Sequence, residues 1–259
     1  MSLLNQYAGH HKLDQTLFKR GVDFTNASLF APLWHPRSKV SPFISFDKIG
    51  HSITATGAIW TPPYGYALDA VDDFMTFGDT STLAWMHGKG NTTTFAWTVI
   101  VVMNQASPGG ANAPILDTIA GSGNNVGILL YKLATSRKIG LAIANGNGAT
   151  PVIDVTTTFT YPNNTLYHEL AITYDQSLAS ANALFYLDGV YKESQNKTAN
   201  ASADANSSYA PCIGRFQTSG AFNGIISEYF IYQQRVYSAS EITQHYLAAR
   251  KRLTWANLP

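Results

Sequence analysis

The chain carries one cysteine, Cys212, which excludes an intramolecular disulfide and a cysteine-rich metal site. Charge is scarce too: 13% of residues, 17 basic against 16 acidic, for a net of +1 at pH 7. So even a balance gives no general attraction to nucleic acid or to an anionic membrane. No apolar run approaches the roughly 20 residues of a membrane-spanning helix, and no membrane insertion is expected. The longest run, Val99 to Met103, fits a buried strand. The opening Met1-Ser2-Leu3-Leu4-Asn5-Gln6-Tyr7 lacks the basic segment followed by an apolar one that a secretory signal needs. A chain made as a soluble protein in the cytoplasm is the expectation.

What the sequence does have is turns and aromatics. Gly, Ser, Thr, Asn and Ala are plentiful, aromatics reach 12%, and Tyr leads them with 14. Beyond Ser52 the text becomes a succession of short β-prone runs separated by Gly/Pro/Asn clusters. The spacing predicts strands at Ser52–Trp60, Ala67–Phe77, Thr93–Asn104, Ile115–Ile119, Val126–Leu133 and Ile139–Ala144. Further strands follow at Val152–Phe159, Tyr167–Tyr174, Ala183–Leu187, Val190–Glu193, Pro211–Phe216 and Gly224–Tyr232. Many strands with almost no helical periodicity indicate an all-β fold, a sandwich or barrel in one domain.

Two local signals are sharp. Asp188-Gly189, between Phe185-Tyr186-Leu187 and Val190-Tyr191, suits a two-residue hairpin turn with both φ angles positive. Ser238 and Glu241 have capping-box spacing, with Ile242, Tyr246 and Ala249 on one face beyond them, so one short C-terminal helix is predicted. Arg250, Lys251 and Arg252 suit its C-terminal end. The first 28 residues read as an arm. Leu13, Leu17 and Phe18 interleave there with Lys12, Lys19 and Arg20, a pattern suited to docking on an assembly or on another copy. Residues 29–259 form the domain.

Several segments resemble laminin-G-like domains of the concanavalin type. The ending carries the resemblance most fully: Ile213-Gly214-Arg215, then Phe222-Asn223-Gly224-Ile225-Ile226-Ser227-Glu228, Ile231-Tyr232, and Ser238-Ala239-Ser240-Glu241-Ile242. Tyr64 to Phe74, Phe95 to Val99, His168 to Asp175 and Leu184 to Gly189 match earlier family segments in the same order. Ala70 stands where the family usually has Gly, and Tyr167 where it often has Trp. The resemblance implies a two-sheet antiparallel jelly-roll β-sandwich and assigns Asp72 and Asp73 to a structural turn. The upstream Leu33-Trp34-His35-Pro36, Pro42 to Asp47, Gly50-His51 and Thr56 to Trp60 are similar to laminin-G-like proteins of phages and environmental viral genomes.

Candidate chemistry is sparse. Sandwich glycosidases need paired carboxylates, often spaced Glu-x-Asp-x-Glu along one strand, and no such run exists here. Asp69 and Asp73, four apart, are the nearest approach. Calcium wants several oxygen donors, for which Asp72, Asp73 and the loop Gly121 to Asn125 are candidates. The seven histidines show no zinc spacing, and no nucleophile elbow occurs. Trp60, Tyr64, Tyr66 and Trp85 are candidate sugar-stacking aromatics. Two functional readings therefore stand. One is a non-enzymatic virion-associated decoration of capsid or tail, held through its arm to other virion proteins or to itself. The other is a free-standing carbohydrate-binding lectin, assisted by calcium.

Overall fold

A computed structural model describes residues 26–90, 94–105, 112–119, 126–146, 151–199, 205–216, 219–220, 222–254 and 258–259. The strands are β1 (Leu29–Pro32), β2 (Phe43–Ile44), β3 (Ser52–Thr56), β4 (Ile59–Thr61), β5 (Gly65–Asp69) and β6 (Phe74–Phe77). Then come β7 (Ala96–Asn104), β8 (Ala113–Asp117), β9 (Val126–Lys132), β10 (Ile139–Asn145), β11 (Ile153–Thr156) and β12 (His168–Asp175). The last are β13 (Ala183–Leu187), β14 (Val190–Gln195), β15 (Cys212–Ile213), β16 (Arg215–Phe216), β17 (Ser219–Gly220) and β18 (Asn223–Gln233), before helix α1 (Ala239–Arg252).

They form two large antiparallel sheets and a small hairpin of β16 with β17. Sheet A runs β14-β13-β12-β7-β18-β5-β4, with β1 also on β18; sheet B runs β11-β10-β9-β8-β15-β6-β3-β2. Their inner faces interdigitate in one apolar core that includes Trp97, Val99, Leu170, Ile172, Tyr229 and Ile231 from sheet A and Met75, Phe77, Leu130 and Leu141 from sheet B. The predicted jelly-roll sandwich with one C-terminal helix is the observed fold. The chain joins sheet A from Ser28, whose N–H donates to the Ile231 carbonyl at 2.7 Å.

Two predicted strands are each divided. Ser52–Trp60 breaks into β3 in sheet B and β4 in sheet A, and Ala67–Phe77 breaks into β5 in sheet A and β6 in sheet B. The chain changes sheets at both places, and the two crossings touch. A Cβ on Gly57 (φ +71°) would lie 2.1 Å from the Asp73 carboxylate, so only glycine lets them meet. At the second crossing Ala70 takes φ 68°, the left-handed region that the family's usual glycine would enter freely.

The outer face of sheet A is covered. In β18 the register shifts between Ile226 and Glu228, which turns Glu228, Phe230 and Tyr232 outward while Tyr229 and Ile231 stay in the core. Helix α1 lies over that face. Ser238 and Glu241 cap each other reciprocally, and Ile242, His245, Tyr246, Ala249 and Arg252 are buried along one stripe. Arg252, expected only to complement the helix end, instead grips Glu228 bidentately at 2.7 and 2.6 Å. Trp34 Nε1 donates to the same carboxylate at 2.8 Å. His245 Nδ1 lies 2.8 Å from Glu169 on β12. The predicted hairpin is present, with Asp188 at φ 54° and Gly189 at 73°, and Thr243 of the helix donates to the Gly189 carbonyl.

Lys132 is a further buried charge. It is wholly buried at the end of β9, its ammonium lies 5.9 Å from the Tyr161 ring centre, and among the described residues no hydrogen-bond acceptor meets it. Burial, with the Arg137 charge second, pulls its pKa from 10.5 to about 8.

Two predictions follow from these buried charges. Arg252→Met leaves the Glu228 carboxylate uncompensated and should cost about 3–5 kcal/mol in urea denaturation, whereas the double substitution Glu228→Gln, Arg252→Met should recover much of it. Equal losses for the two variants would show that the charge pair is not what matters. Lys132 titrates lower in the folded than in the unfolded chain, so between about pH 8 and 10.5 the unfolded chain binds more protons. Its contribution improves as pH rises through that window and is worst below it. Lys132→Met should therefore stabilise the fold by about 1–3 kcal/mol at pH 7, with the gain over wild type shrinking toward pH 10.5; a pH-independent difference contradicts this.

Candidate functional site

The four candidate aromatics do not converge. Tyr66 is buried in the core, stacked on Phe43 with ring centres 5.8 Å apart, and its hydroxyl donates to the Ser38 carbonyl at 2.5 Å. It is not available to a ligand, because its position in β5 faces the opposite sheet. Trp60 is half-buried against the core and its Nε1 donates to the Leu33 carbonyl at 2.9 Å. Trp85 is half-buried in the short 3-10 turn Ala84–His87, which packs on β9 and β10. Tyr64 alone is exposed, lying against Tyr167 with ring centres 6.3 Å apart at the β4–β5 edge.

The acidic turn is compact. One carboxylate oxygen each from Asp69, Asp72 and Asp73 lies within 4.8 Å of the others. Asp69 accepts from the Val71 N–H at 2.8 Å, and Asp73 accepts from the Asp69 N–H at 3.0 Å. Burial pushes the Asp73 carboxyl above its ordinary pKa; the Asp69 N–H pulls it back, and the neighbouring Asp69 and Asp72 charges push it up again. Three carboxylates suit a hard cation such as calcium but supply fewer than the six to eight oxygens it takes. The turn's own N–H groups already account for two of the three. The second expected donor set, Gly121 to Asn125, lies outside the described residues, as do Leu13, Leu17, Phe18, Lys19 and Arg20 of the arm.

The outer face of sheet B is the more developed site. One cross-strand row runs from Thr76 through Cys212, Asp117, Leu129 and Ala142 to Asp154. In the next row Tyr131 pairs with Gly140, which pairs with Thr156. The Tyr131 ring lies flat across that glycine, since a Cβ there would come within 2.3 Å of its Cζ. Burial raises the Tyr131 pKa, the Asp154 charge adds to this, and a Thr156 hydrogen bond offsets part of it. Phe216 stands beside Tyr131 with ring centres 6.5 Å apart. On the other side of Cys212, the Arg215 guanidinium carbon stacks 3.3 Å from the Phe74 ring centre. Asp117 is wholly buried and accepts from the Ile119 N–H at 2.8 Å. Burial, first among several influences, pushes the Cys212 thiol up to about 12, so it stays a neutral thiol.

Sequence reasoning did not single out Tyr131, Phe216, Phe74 or Arg215 as a site. Arg215 stood in the family-like Ile-Gly-Arg run, and the one local hint was a glycine in an otherwise apolar strand, Gly140, which marks a close approach.

A sequence profile of the concanavalin A-like lectin/glucanases superfamily matches residues 74–243. No curated protein sequence matches the chain. Among solved structures, a mutant of Trypanosoma rangeli sialidase displaying trans-sialidase activity is similar at TM-score 0.64 and 13% identity, over 96% of this chain and 39% of that one. The binding domain of Botulinum neurotoxin DC in complex with SialylT is similar at TM-score 0.60 and 12% identity, over 87% of this chain and 52% of that one. The same domain in complex with rat synaptotagmin II gives TM-score 0.59 at 12% identity, over 86% and 51%. The chain thus spans between two fifths and about half of the length of these proteins, and at such identity the likeness shows the fold alone.

Proposed function

The chain belongs to the concanavalin A-like lectin/glucanases superfamily, and we propose that it is a non-enzymatic glycan-binding module working through the outer face of sheet B. The observation that carries this reading is the Tyr131 ring laid flat on Gly140, beside Phe216 and rimmed by Thr156 and Asp154. A flat aromatic flanked by hydroxyl and carboxylate acceptors is what a sugar ring needs, apolar on its C–H face and polar at its edge. Helix α1 covers the corresponding face of sheet A, while on sheet B Tyr131 is half-buried and Asp154 and Thr156 are exposed beside the buried Asp117, Leu129 and Cys212. The similar structures, a sialidase and a binding domain in complex with SialylT, agree in kind.

Binding without catalysis is favoured by carboxylate spacing. Asp117 and Asp154 are three strand spacings apart, roughly 14 Å, beyond the window of paired glycosidase carboxylates. Asp69 and Asp73 are closer but already accept N–H groups of their own turn. Calcium assistance at Asp72 and Asp73 is part of the proposal. So is display on a virion, with the closed side toward the particle and the arm of residues 1–28 as tether.

A glycan array probed with and without calcium tests the binding reading. Tyr131→Ala should weaken any hit about tenfold, or about 1.4 kcal/mol, while Tyr64→Ala leaves it unchanged. The reverse pattern moves the site to the β4–β5 edge, and an array silent under both conditions removes the proposal. For display, purified particles should contain the chain in high copy and lose it when residues 1–28 are removed; particles free of it sink that part.

A further inference from the structure

We infer that the glycan taken by this face is an acidic one, and that Arg215 holds its anionic group; this rests on the glycan reading above. Gly214, at φ +99°, lets the chain turn sharply between β15 and β16, where a Cβ would come within 2.1 Å of Leu68. That turn aims Arg215 over Phe74. The guanidinium lies 3.3 Å from the ring centre, which fixes its plane and leaves its N–H edges to act. Arg235 pairs with Glu241 and Arg252 with Glu228, while Arg37, Arg137 and Arg250 show no ion pair among the described residues. Arg215 forms no ion pair among the described residues, and its buried Nε meets no acceptor. Its neighbour Cys212, kept a neutral thiol by burial, supplies no counter-charge.

An arginine held flat and half-buried, hydrogen-bonded to the Cys212 thiol but paired with no carboxylate among the described residues, is already arranged for a planar or trigonal anion, because little side-chain freedom remains to be lost on binding. Thr56, opposite Phe74 in the β3–β6 register and exposed, adds a hydroxyl on the same face. The chemistry fits a sugar carboxylate or a sulfate ester. Asp72, exposed two residues before Phe74, opposes an anion at that end, so discrimination comes from the directed N–H groups and not from the general field.

The test is calorimetric titration of the full chain with polygalacturonate oligomers, heparin oligosaccharides and neutral galactan oligomers. Wild type should bind one acidic series at least tenfold more tightly than galactan, and which series identifies the anion as carboxylate or sulfate. Arg215→Gln should abolish that preference while leaving galactan affinity and the melting temperature unchanged. Arg215→Lys, a charge without the fork, should retain part of it. Galactan bound as tightly as either acidic series, or an unaltered preference in folded Arg215→Gln, overturns the inference and leaves the glycan reading standing. Binding of none of the three counts against both. Should Arg215→Gln fail to fold, competition on wild type by galacturonate, glucosamine sulfate and galactose carries the same test, and equal competition by all three overturns it.

Discussion

The fold turns on one extra residue in its longest strand. β18 pairs with β7 along most of its length, and on its other side with β5 at Asn223 to Ile226 and then β1 at Glu228 to Ile231. Without the register shift after Ile226, Glu228 would share that residue's inward direction and put a carboxylate into the apolar core, at a cost of several kcal/mol. With it, Glu228 faces outward to Arg252 and Trp34. Ser227, released from the ladder, accepts the Leu33 N–H at its carbonyl and donates its hydroxyl to the Tyr64 carbonyl. The bulge thus fixes where β5 stops, where β1 starts and which side of the sheet the helix must cover.

Buried ion pairs are poor sources of net stability, because desolvation consumes much of the Coulomb attraction. Among the described residues Arg252 Nη1, His245 Nε2 and Glu169 Oε1 lack hydrogen-bond partners beneath the helix, which adds to that cost. What these groups supply is position: a helix sliding by one turn would leave both carboxylates unpaired. Phe30, Ile100, Phe230 and Ile242 supply the apolar attraction and the charges supply the register. The result is a sandwich whose sheet A is covered by a helix, and that cover is set by Glu169 and Glu228, which face outward under a helix that can meet them.

The local devices were legible in the sequence because their physics is local. Asp188-Gly189 needed only two positive φ angles, and Ser238 with Glu241 only a three-residue spacing. The sheet crossings at Gly57 and Ala70 were not legible, since β-prone residues continue through both and the reason to break is a partner far along the chain. Tyr66 was misplaced for the same reason: a tyrosine near a turn does not reveal which face of its strand it takes. Tyr131 and Phe74 come from β9 and β6 of sheet B, and Arg215 and Phe216 from β16, whose hairpin with β17 lies outside that sheet, so contacts far apart in the chain bring them together. Family likeness fixed the strand order without marking that face, because Arg215 sits in a segment the whole family shares.

A pleated face with one flat ring and one directed cation is shallow, and shallow sites bind weakly as single copies, since little of a ligand is removed from water. Weak sites become effective when repeated: joining two or more on one scaffold makes later contacts intramolecular and raises avidity by about 10²–10⁴ without any new interaction. The glycan and display readings therefore support each other. A helix-covered back suits fixing many copies in one orientation, and a fast-releasing site on the other side lets the array survey a glycan surface before holding it. On this argument, modest affinity in the isolated chain is the property a displayed array needs, and selectivity among sugars rests on directed contacts such as those of Arg215 more than on strength.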